Sequence, residues 1–326
     1  MLVISGQEVE ELLDLRQLID ALAPAMADLS AGRASLPNRI AATVDEHDGL
    51  LAAMPAYAPG AGALTTKLVS LFPRNAGTEL PTHQAVVLAF DPATGEPVAL
   101  LDGTSITALR TAAGSALSAR LLAREDADVL AILGTGVQAH THARALPLVR
   151  AFREIRVAGR RRDAAAALAD ELRADGLPAV AADSFEQAIA GAGVACATTH
   201  ATEPVVRGAW VAPGTHVASV GYNPAGREVD HELVARASIY VESRAAALAP
   251  VPAGANELAR PLAEGSLAES EVHEIGEVVA GKAGGRRSPD EVTLYKSVGV
   301  GVQDAAATAL VLAAARERGA GVTVGL

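Results

Sequence analysis

The sequence has 326 residues, of which 50% are hydrophobic and 20% charged, which is typical of a globular protein with two modest domains or one large one. A formal net charge of −11 argues against nucleic acid and anionic membranes as partners, although it allows a local basic pocket for a small anion. The single cysteine, Cys196, excludes an intramolecular disulfide, and no basic region with a long apolar segment opens the sequence. We therefore expect a cytoplasmic protein.

The N-terminal part predicts a mixed α+β region. A strand at Leu2–Ile4 precedes Ser5 and Glu8, whose spacing is that of a capping box opening a helix, and a second helix is predicted from about Leu15 to Ser30. Extended segments follow, at about Arg39–Val44, Leu50–Tyr57, Ala63–Phe72, Ala85–Asp91 and Val98–Leu101. A helix from about Ile106 to Arg124 then leads into the next region.

The region after this helix carries a nucleotide-binding pattern. Val129–Leu133 is an apolar run typical of a central parallel strand, and Gly134, Gly136 and Ala139 after it give the spacing G-x-G-x-x-A. A predicted helix and a second strand at Glu154–Ala158 complete a βαβ unit of about 30 residues. The pattern predicts that backbone N–H groups and a helix N-terminus bind a pyrophosphate. The alternative is a tight turn that binds nothing.

The end of the second strand bears on the choice of cofactor. An acidic residue there would bind the ribose 2′-hydroxyl, but the chain reads Gly159-Arg160-Arg161-Arg162, with no carboxylate before Asp163. Guanidinium groups suit a 2′-phosphate, so we predict NADP(H) as the preferred cofactor, with NAD(H) possible. The alternative is that these arginines are the solvated start of a helix.

The rest of the chain continues the alternation of strands and helices. Strands are predicted at Ala179–Ala182, Val194–Thr199, His216–Gly221, Ser238–Glu242 and Thr293–Val298. We interpret Glu264–Pro289 as loops with one short helix, and Gln303–Arg318 as the last helix. The fold class predicted is α/β, with a central doubly wound Rossmann-type domain and an α+β domain.

Other chemistries find no support in the sequence. His140 and His142 are two residues apart on a predicted helix and so point to different faces, and no clustered Cys/His pattern exists; we predict no metal site. There is no G-x-S-x-G elbow and no G-K-[ST] loop, and the one cysteine lacks a basic neighbourhood. Hydrolase, NTPase and thiol-enzyme functions are therefore disfavoured.

Three blocks, Asp102–Ala113, Leu133–Ala139 and Leu294–Gly299, resemble signature segments of the ornithine cyclodeaminase/μ-crystallin family. The resemblance runs from about Ser35 to the C-terminus. It implies a homodimer acting on imines of amino acids with a bound nicotinamide. It also implies a substrate-binding and dimerisation domain at 1–115 and 300–326, and a Rossmann NADP(H)-binding domain at 116–299.

Basic side chains fit this chemistry. Lys67 lies in an apolar run, where a charge needs an anion, and together with Arg39 and Arg110 it could bind an α-carboxylate. The resemblance assigns that role to these three positions; each alone could instead be a structural salt bridge or a surface side chain. We add Met54 and Val298 to the substrate pocket.

The candidates for cofactor binding include Gly134, Gly136, Arg160 and Arg161. The others are Thr82, Arg110, Thr135, Val137, Gln138, Thr198, Ser219, Val220, Arg227 and Ser297. The resemblance places His83 near the cofactor too, outside the catalytic list.

One departure from the family decides between reactions. Cyclodeaminases carry an aspartate at the position that corresponds to Asn223 of this chain, and an amide cannot act as a general base. We therefore predict NADPH-dependent reduction of a ketimine, a C=N bond beside a carboxylate, to an amino acid. Lys67 or a bound water would protonate the imine and Asn223 would orient its nitrogen. The alternatives are an amino-acid dehydrogenase, a cyclodeaminase-type lyase and a small-ligand-binding protein without turnover.

Overall fold

The computed structural model describes residues 1–223 and 225–325. Its helices are α1 Gly6–Leu12, α2 Leu15–Ser30, α3 Gly103–Leu122, α4 Val137–Ala145, α5 Arg162–Ala174, α6 Phe185–Ile189, α7 His231–Arg236, α8 Arg244–Ala247, α9 Asn256–Ala263, α10 Ile275–Val279 and α11 Gly301–Arg318. Its strands are β1 Leu2–Ile4, β2 Ile40–Val44, β3 Gly49–Ala58, β4 Ala63–Leu71, β5 His83–Phe90, β6 Pro97–Asp102, β7 Val129–Leu133, β8 Glu154–Ala158, β9 Ala179–Ala181, β10 Val194–Ala197, β11 His216–Ser219, β12 Ser238–Val241, β13 Val272–Glu274, β14 Thr293–Lys296 and β15 Val322–Thr323. Within the described residues, no helix is both long enough and apolar enough to cross a membrane.

The chain divides into two compact units. Unit 1 comprises Met1–Arg110 and the C-terminal segment that begins at Val300, and unit 2 comprises Thr111–Gly299. The first border therefore falls inside α3, as does residue 115, where the sequence analysis placed it.

Unit 1 is built on a seven-stranded sheet in the order β15-β1-β6-β5-β4-β3-β2. Strands β3 to β5 alternate between buried and more exposed residues, as expected of a sheet with one covered face. Helix α11 packs against β3, β4 and α2. In the register of the sheet, Met54 lies opposite Lys67, and Lys67 lies opposite Val87. The buried face of the sheet therefore carries a lysine in its centre.

Unit 2 contains an eight-stranded sheet in the order β13-β12-β14-β11-β10-β7-β8-β9, and its strand pairs are parallel. After β9 the chain returns to pair β10 with β7, so the direction of winding reverses there. This reversal is the topological switch point of a doubly wound fold, outside which dinucleotides bind. Every residue of β7 is buried, which explains its continuous apolar sequence. The predicted fold class is confirmed.

Two predictions of local structure were wrong in detail. The segment predicted as loops with one short helix also contains β13, whose three residues, Val-His-Glu, are too few to show a period. Helix α3 begins at Gly103, before the predicted start at Ile106, because Asp102 accepts a hydrogen bond from the Ser105 backbone N–H at 2.7 Å and so caps the first turn.

Candidate functional site

The buried lysine of unit 1 is paired with a carboxylate from the last helix. Lys67 on β4 is 2% exposed, and its Nζ lies 3.0 Å from both Oδ1 and Oδ2 of Asp304, in the first turn of α11. It also donates to Thr107 Oγ1 at 3.3 Å. The anion that a buried lysine requires is thus supplied by the chain itself.

The same carboxylate also binds the arginine of α3. Arg110 is 5% exposed; its Nε donates to Asp304 Oδ1 at 3.1 Å and its Nη1 donates to Gln303 Oε1 at 3.0 Å. Asp304 therefore links two of the three predicted carboxylate-binding residues, and the three charged side chains together keep a net positive charge. The sequence analysis missed Asp304 and Gln303, although Asp304 is an isolated acid in an alanine-rich helix.

Burial sets the protonation behaviour of this cluster. Desolvation, as the largest cause, lowers the pKa of Lys67 to about 8; the Asp304 charge raises it, and the positive charges of Arg110 and Arg39 lower it further. The half-buried Arg39 is therefore close enough to act on Lys67. The pKa of His83 is lowered to about 4 by burial and then by Lys67 and Arg110, so its imidazole is neutral near pH 7.

In unit 2, the predicted glycine turn has the backbone geometry of an anion-binding loop. Gly134 has φ of +128°, and a Cβ there would lie 2.6 Å from Thr198 Oγ1. Gly136 is the N-cap of α4, and a Cβ on it would meet no atom of the described residues within 4 Å. Among the described residues no side chain caps the first turn of α4, so its N–H groups lack a side-chain acceptor and suit the pyrophosphate of a dinucleotide.

Three further features of this region agree with a nucleotide site. A Cβ on Gly159 would lie 2.7 Å from Thr135 Cγ2, so the turns after β7 and β8 are in close contact. Gln138 Oε1 is buried, with no hydrogen-bond partner within the described residues. Val137, at the start of α4, is 67% exposed.

The arginines after β8 lie at the surface. The Arg161 side chain is 75% exposed and its Nε is 3.8 Å from Asp163 Oδ1, whereas Arg162 forms a 2.6 Å ion pair with Asp183. Arg160 is also exposed. Arg160 and Arg161 thus lie at the carboxyl end of β8, next to the glycine turn.

The remaining cofactor candidates of unit 2 follow the carboxyl ends of β10, β11 and β14. Thr198 Oγ1 donates to Leu133 O at 3.0 Å, and Val220 N donates to Ala197 O at 3.0 Å. Ser219 and Ser297 donate to two buried carboxylates that the sequence analysis missed, Glu228 and Glu242. Parallel strands bring these residues to one edge of the sheet.

Two other predicted residues of unit 2 have partners of their own. Arg227 Nη1 lies 2.6 Å from His231 Nε2, and Val298 is partly buried against the apolar core.

The candidates that belong to unit 1 are Thr82, Arg39, Met54, Lys67 and Arg110. Thr82 is exposed, and its carbonyl accepts from Phe72 N at 2.9 Å.

The amide of Asn223 has one partner after β10 and one in its own loop. Its Nδ2 donates to His200 O at 3.2 Å, and its Oδ1 accepts from Ala225 N at 2.9 Å. Tyr222, beside it, donates to Pro252 O at 2.9 Å. Both residues line a cavity of about 40 Å³ that Val298 also lines, and its volume is sufficient for a single water. The orienting role predicted for Asn223 stays a prediction.

Comparison with known proteins agrees with this geometry. The profile of the ornithine cyclodeaminase/mu-crystallin family matches residues 1–319. Mouse ketimine reductase mu-crystallin is 39% identical over 313 residues, which cover 94% of this chain and 95% of the relative. Δ1-Pyrroline-2-carboxylate reductase of Thermococcus litoralis, solved with NADH and L-proline, has a TM-score of 0.93 at 35% identity, covering 99% of this chain and 100% of that one. An archaeal alanine dehydrogenase dimer with bound NAD has a TM-score of 0.90 at 30% identity, covering 100% and 99%.

The chain therefore belongs to the ornithine cyclodeaminase/mu-crystallin family, as its signature blocks indicated. Within that family it is an NAD(P)H-dependent oxidoreductase acting on C=N bonds.

Proposed function

We propose that this protein reduces ketimines that carry an adjacent carboxylate to amino acids, with NADPH as the preferred cofactor. The observation that carries the proposal is the buried Lys67–Asp304–Arg110 cluster of unit 1. Two cations share one carboxylate there, so a positive charge is left for a substrate anion. Cyclic imino acids, and imines formed from a 2-oxo acid and an amine, have the required chemistry.

The carboxylate of the substrate is bound by the basic side chains of unit 1. Lys67 and Arg110 are held by Asp304, so little side-chain freedom remains to be lost when an anion binds. Arg39, whose charge acts on Lys67, adds a third cation. Together they fix the carboxylate and hence the position of the neighbouring C=N bond.

The proton needed for reduction comes from Lys67. A pKa of about 8 leaves the ammonium largely protonated at pH 7 while making it a better acid than an exposed lysine. Asp304 keeps the proton on Nζ until it is transferred. His83, with its lowered pKa, adds no further positive charge near neutral pH.

The dinucleotide is bound by unit 2. The turn at Gly134 and Gly136 and the N-terminus of α4 would hold the pyrophosphate, and Thr198, Val220 and the other strand-end residues would contact the remainder. When bound, the reduced nicotinamide supplies the hydride that reduces the C=N carbon. Arg160 and Arg161 favour a 2′-phosphate because they are exposed at the end of β8, where a ribose-binding acid would otherwise lie.

A second candidate function is the reverse reaction, oxidation of an amino acid followed by hydrolysis of the imine. The structural similarity to an alanine dehydrogenase supports it. The same cationic cluster would bind the amino-acid carboxylate. The two functions differ in direction rather than in carboxylate-binding residues, so rates measured with imine plus NADPH and with amino acid plus NADP+ separate them.

We also propose that two copies associate through the outer face of the unit 1 sheet, defined by Ala53, Leu68, Val86, Leu88 and Leu100. In the register, Leu68 lies opposite both Ala53 and Val86, and Leu88 lies opposite Leu100. Val86 is 39% exposed and the other four side chains are partly exposed, so one copy leaves part of this apolar face in contact with solvent. The dimer described for the archaeal relative supports a second copy as the partner.

The test of the reductase function is an optical assay of NADPH and NADH oxidation. The substrates are Δ1-pyrroline-2-carboxylate, Δ1-piperideine-2-carboxylate and pyruvate plus methylamine, with ornithine as a lyase substrate. We expect NADPH oxidation with the imino acids that is lost in Lys67→Met and Arg110→Leu. Stoichiometric cofactor binding without turnover on any imine would instead indicate a ligand-binding protein.

A further inference from the structure

Glu228 in unit 2 is a buried carboxylate for which the proposed reaction has no use. It is 2% exposed and follows the loop that contains Asn223. Its Oε1 accepts from Thr199 N at 2.5 Å and from Thr199 Oγ1 at 2.8 Å. Its Oε2 accepts from Ser219 Oγ at 2.8 Å and from Gly221 N at 2.7 Å. One carboxylate therefore joins the turn after β10 to the turn after β11.

A buried ammonium strengthens the same turn. Lys296 Nζ donates to Ser219 Oγ at 3.1 Å and to Gly221 O at 2.9 Å, and it lies 3.1 Å from Glu257 Oε1. Three partners match the three hydrogens of an ammonium. Lys296 therefore holds the end of β11 against β14. Glu257 in turn accepts from Glu228 N at 3.0 Å, which closes the network.

A second carboxylate fixes the neighbouring turn in the same manner. Glu242 is fully buried, and its Oε1 accepts from Ser297 Oγ at 2.5 Å and from Gly299 N at 3.2 Å. Its Oε2 accepts from Val298 N at 3.2 Å. The turn after β14 and the turn after β11 line one small cavity, to which Val220, Tyr222, Ser297 and Val298 contribute.

The position of these turns relates them to the cofactor. β10, β11 and β14 follow one another on one side of the switch point, while the glycine turn follows β7 and the arginines follow β8 on the other side. A dinucleotide bound across a switch point has its pyrophosphate at the glycine turn. With its 2′-phosphate ribose beside the arginines, the dinucleotide would place its nicotinamide half at the ends of β10, β11 and β14.

We infer that Glu228 is a positioning residue that presets the Gly221–Asn223 turn for the nicotinamide half of the cofactor. The inference rests on the proposed binding of a nicotinamide dinucleotide at these strand ends. A carboxylate is required because each oxygen faces donors, two of which are backbone N–H groups. A glutamine would direct its own N–H groups at two of these donors and leave them unsatisfied.

The test is Glu228→Gln, compared with Glu274→Gln as the matched control. Glu274 is also a buried carboxylate of unit 2 that accepts from a backbone N–H, that of Arg244 at 2.8 Å, but it lies on the edge strand β13. The measurements are kcat for imine reduction, the dissociation constants of NADPH and of 2′-phospho-ADP-ribose, which lacks the nicotinamide, and the thermal unfolding midpoint.

We expect Glu228→Gln to lower kcat by about 10- to 100-fold and to weaken NADPH binding, because a small displacement of a reacting group has effects of this size. Binding of 2′-phospho-ADP-ribose should change less than about twofold, and Glu274→Gln should leave both kcat and binding unchanged. If the glutamine variant does not fold, Thr199→Val removes one donor to Glu228 and should give the same selective loss, with kcat lowered by about tenfold.

Three outcomes separate the hypotheses. The inference is overturned if Glu228→Gln, or Thr199→Val, has the same kcat and the same affinity for NADPH as the wild-type protein. It is also overturned if the binding of NADPH and the binding of 2′-phospho-ADP-ribose are weakened equally, because Glu228 then supports the whole of unit 2 rather than the part that binds the nicotinamide half. Failure of the wild-type protein to bind NADPH refutes the proposed function itself and is seen before any variant is made.

Discussion

Replacing Asp304 by asparagine removes the negative charge that Lys67 and Arg110 share. Lys67 Nζ lies 3.0 Å from both carboxylate oxygens, and at an effective dielectric of about 20 this attraction amounts to about 5 kcal/mol. That energy corresponds to several pKa units, and even after rearrangement around Arg110 we expect the pKa of Lys67 to fall by at least about two units from its value of about 8.

The consequence is a shift in the pH dependence of reduction. In the proposed reaction Lys67 acts as the ammonium, so its contribution is present below its pKa and is lost as the pH rises through that pKa. At pH 7 the wild-type lysine is about nine-tenths protonated, whereas a pKa of about 6 would leave about one-tenth. We therefore expect Asp304→Asn to lower kcat/KM at pH 7 by about tenfold, with recovery as the pH is lowered.

The assay is the initial rate of NADPH oxidation with one imino acid across the pH range, fitted for kcat/KM. Because substrate and cofactor are the same throughout, their own titration cancels in the comparison of variants. Thr107→Val, which removes a neutral partner of Lys67 at 3.3 Å, is the control and should move the midpoint by less than about half a unit. An Asp304→Asn profile that coincides with the wild-type profile would refute the role assigned to the Lys67 ammonium.

Three further predictions address the cofactor and the dimer. Arg161→Ala should raise the KM for NADPH by about tenfold and leave that for NADH unchanged, measured by steady-state kinetics; equal effects on both would show that the arginine does not contact a 2′-phosphate. Gly134→Ala should cost about 1–3 kcal/mol and weaken cofactor binding in a titration, because φ is +128° and the new Cβ would lie 2.6 Å from Thr198 Oγ1; an unchanged dissociation constant would contradict this. Val86→Lys should give a monomer in sedimentation experiments while Val180→Lys, at a similarly exposed valine of unit 2, should not; a dimer in both would exclude the proposed face.

The sequence predicted those parts of the fold that depend on neighbours along the chain. The apolar strand Val129–Leu133 and the glycines after it form a continuous local signal, and the structure has the same bounds for β7. The capping box at Ser5 and Glu8 is likewise local and is present in α1. A lysine in an apolar strand correctly indicated a nearby anion, although not which one.

The features of the site that the sequence did not predict depend on contacts between residues that are far apart along the chain. Lys67 and Asp304 are 237 residues apart, and no spacing rule connects them. Glu228 and Thr199 are 29 residues apart and meet because parallel strands bring their carboxyl ends together. The first pair could have been suspected, since an isolated charge in apolar surroundings needs a partner, whereas Glu228 stands among other charged residues, Arg227 and Asp230. The choice of partner requires the packing of the sheet and the helix, which a single sequence does not specify.

In the proposed reaction the protein consumes NADPH while it reduces a carboxylate-bearing imine. The most direct measurement is the ratio of NADPH oxidised to amino acid formed with Δ1-pyrroline-2-carboxylate, in wild-type protein and in Lys67→Met. We predict one NADPH per proline in the wild-type protein and loss of both signals in the variant. Proline and ammonia formed from ornithine without net consumption of cofactor would contradict the claim and identify a lyase.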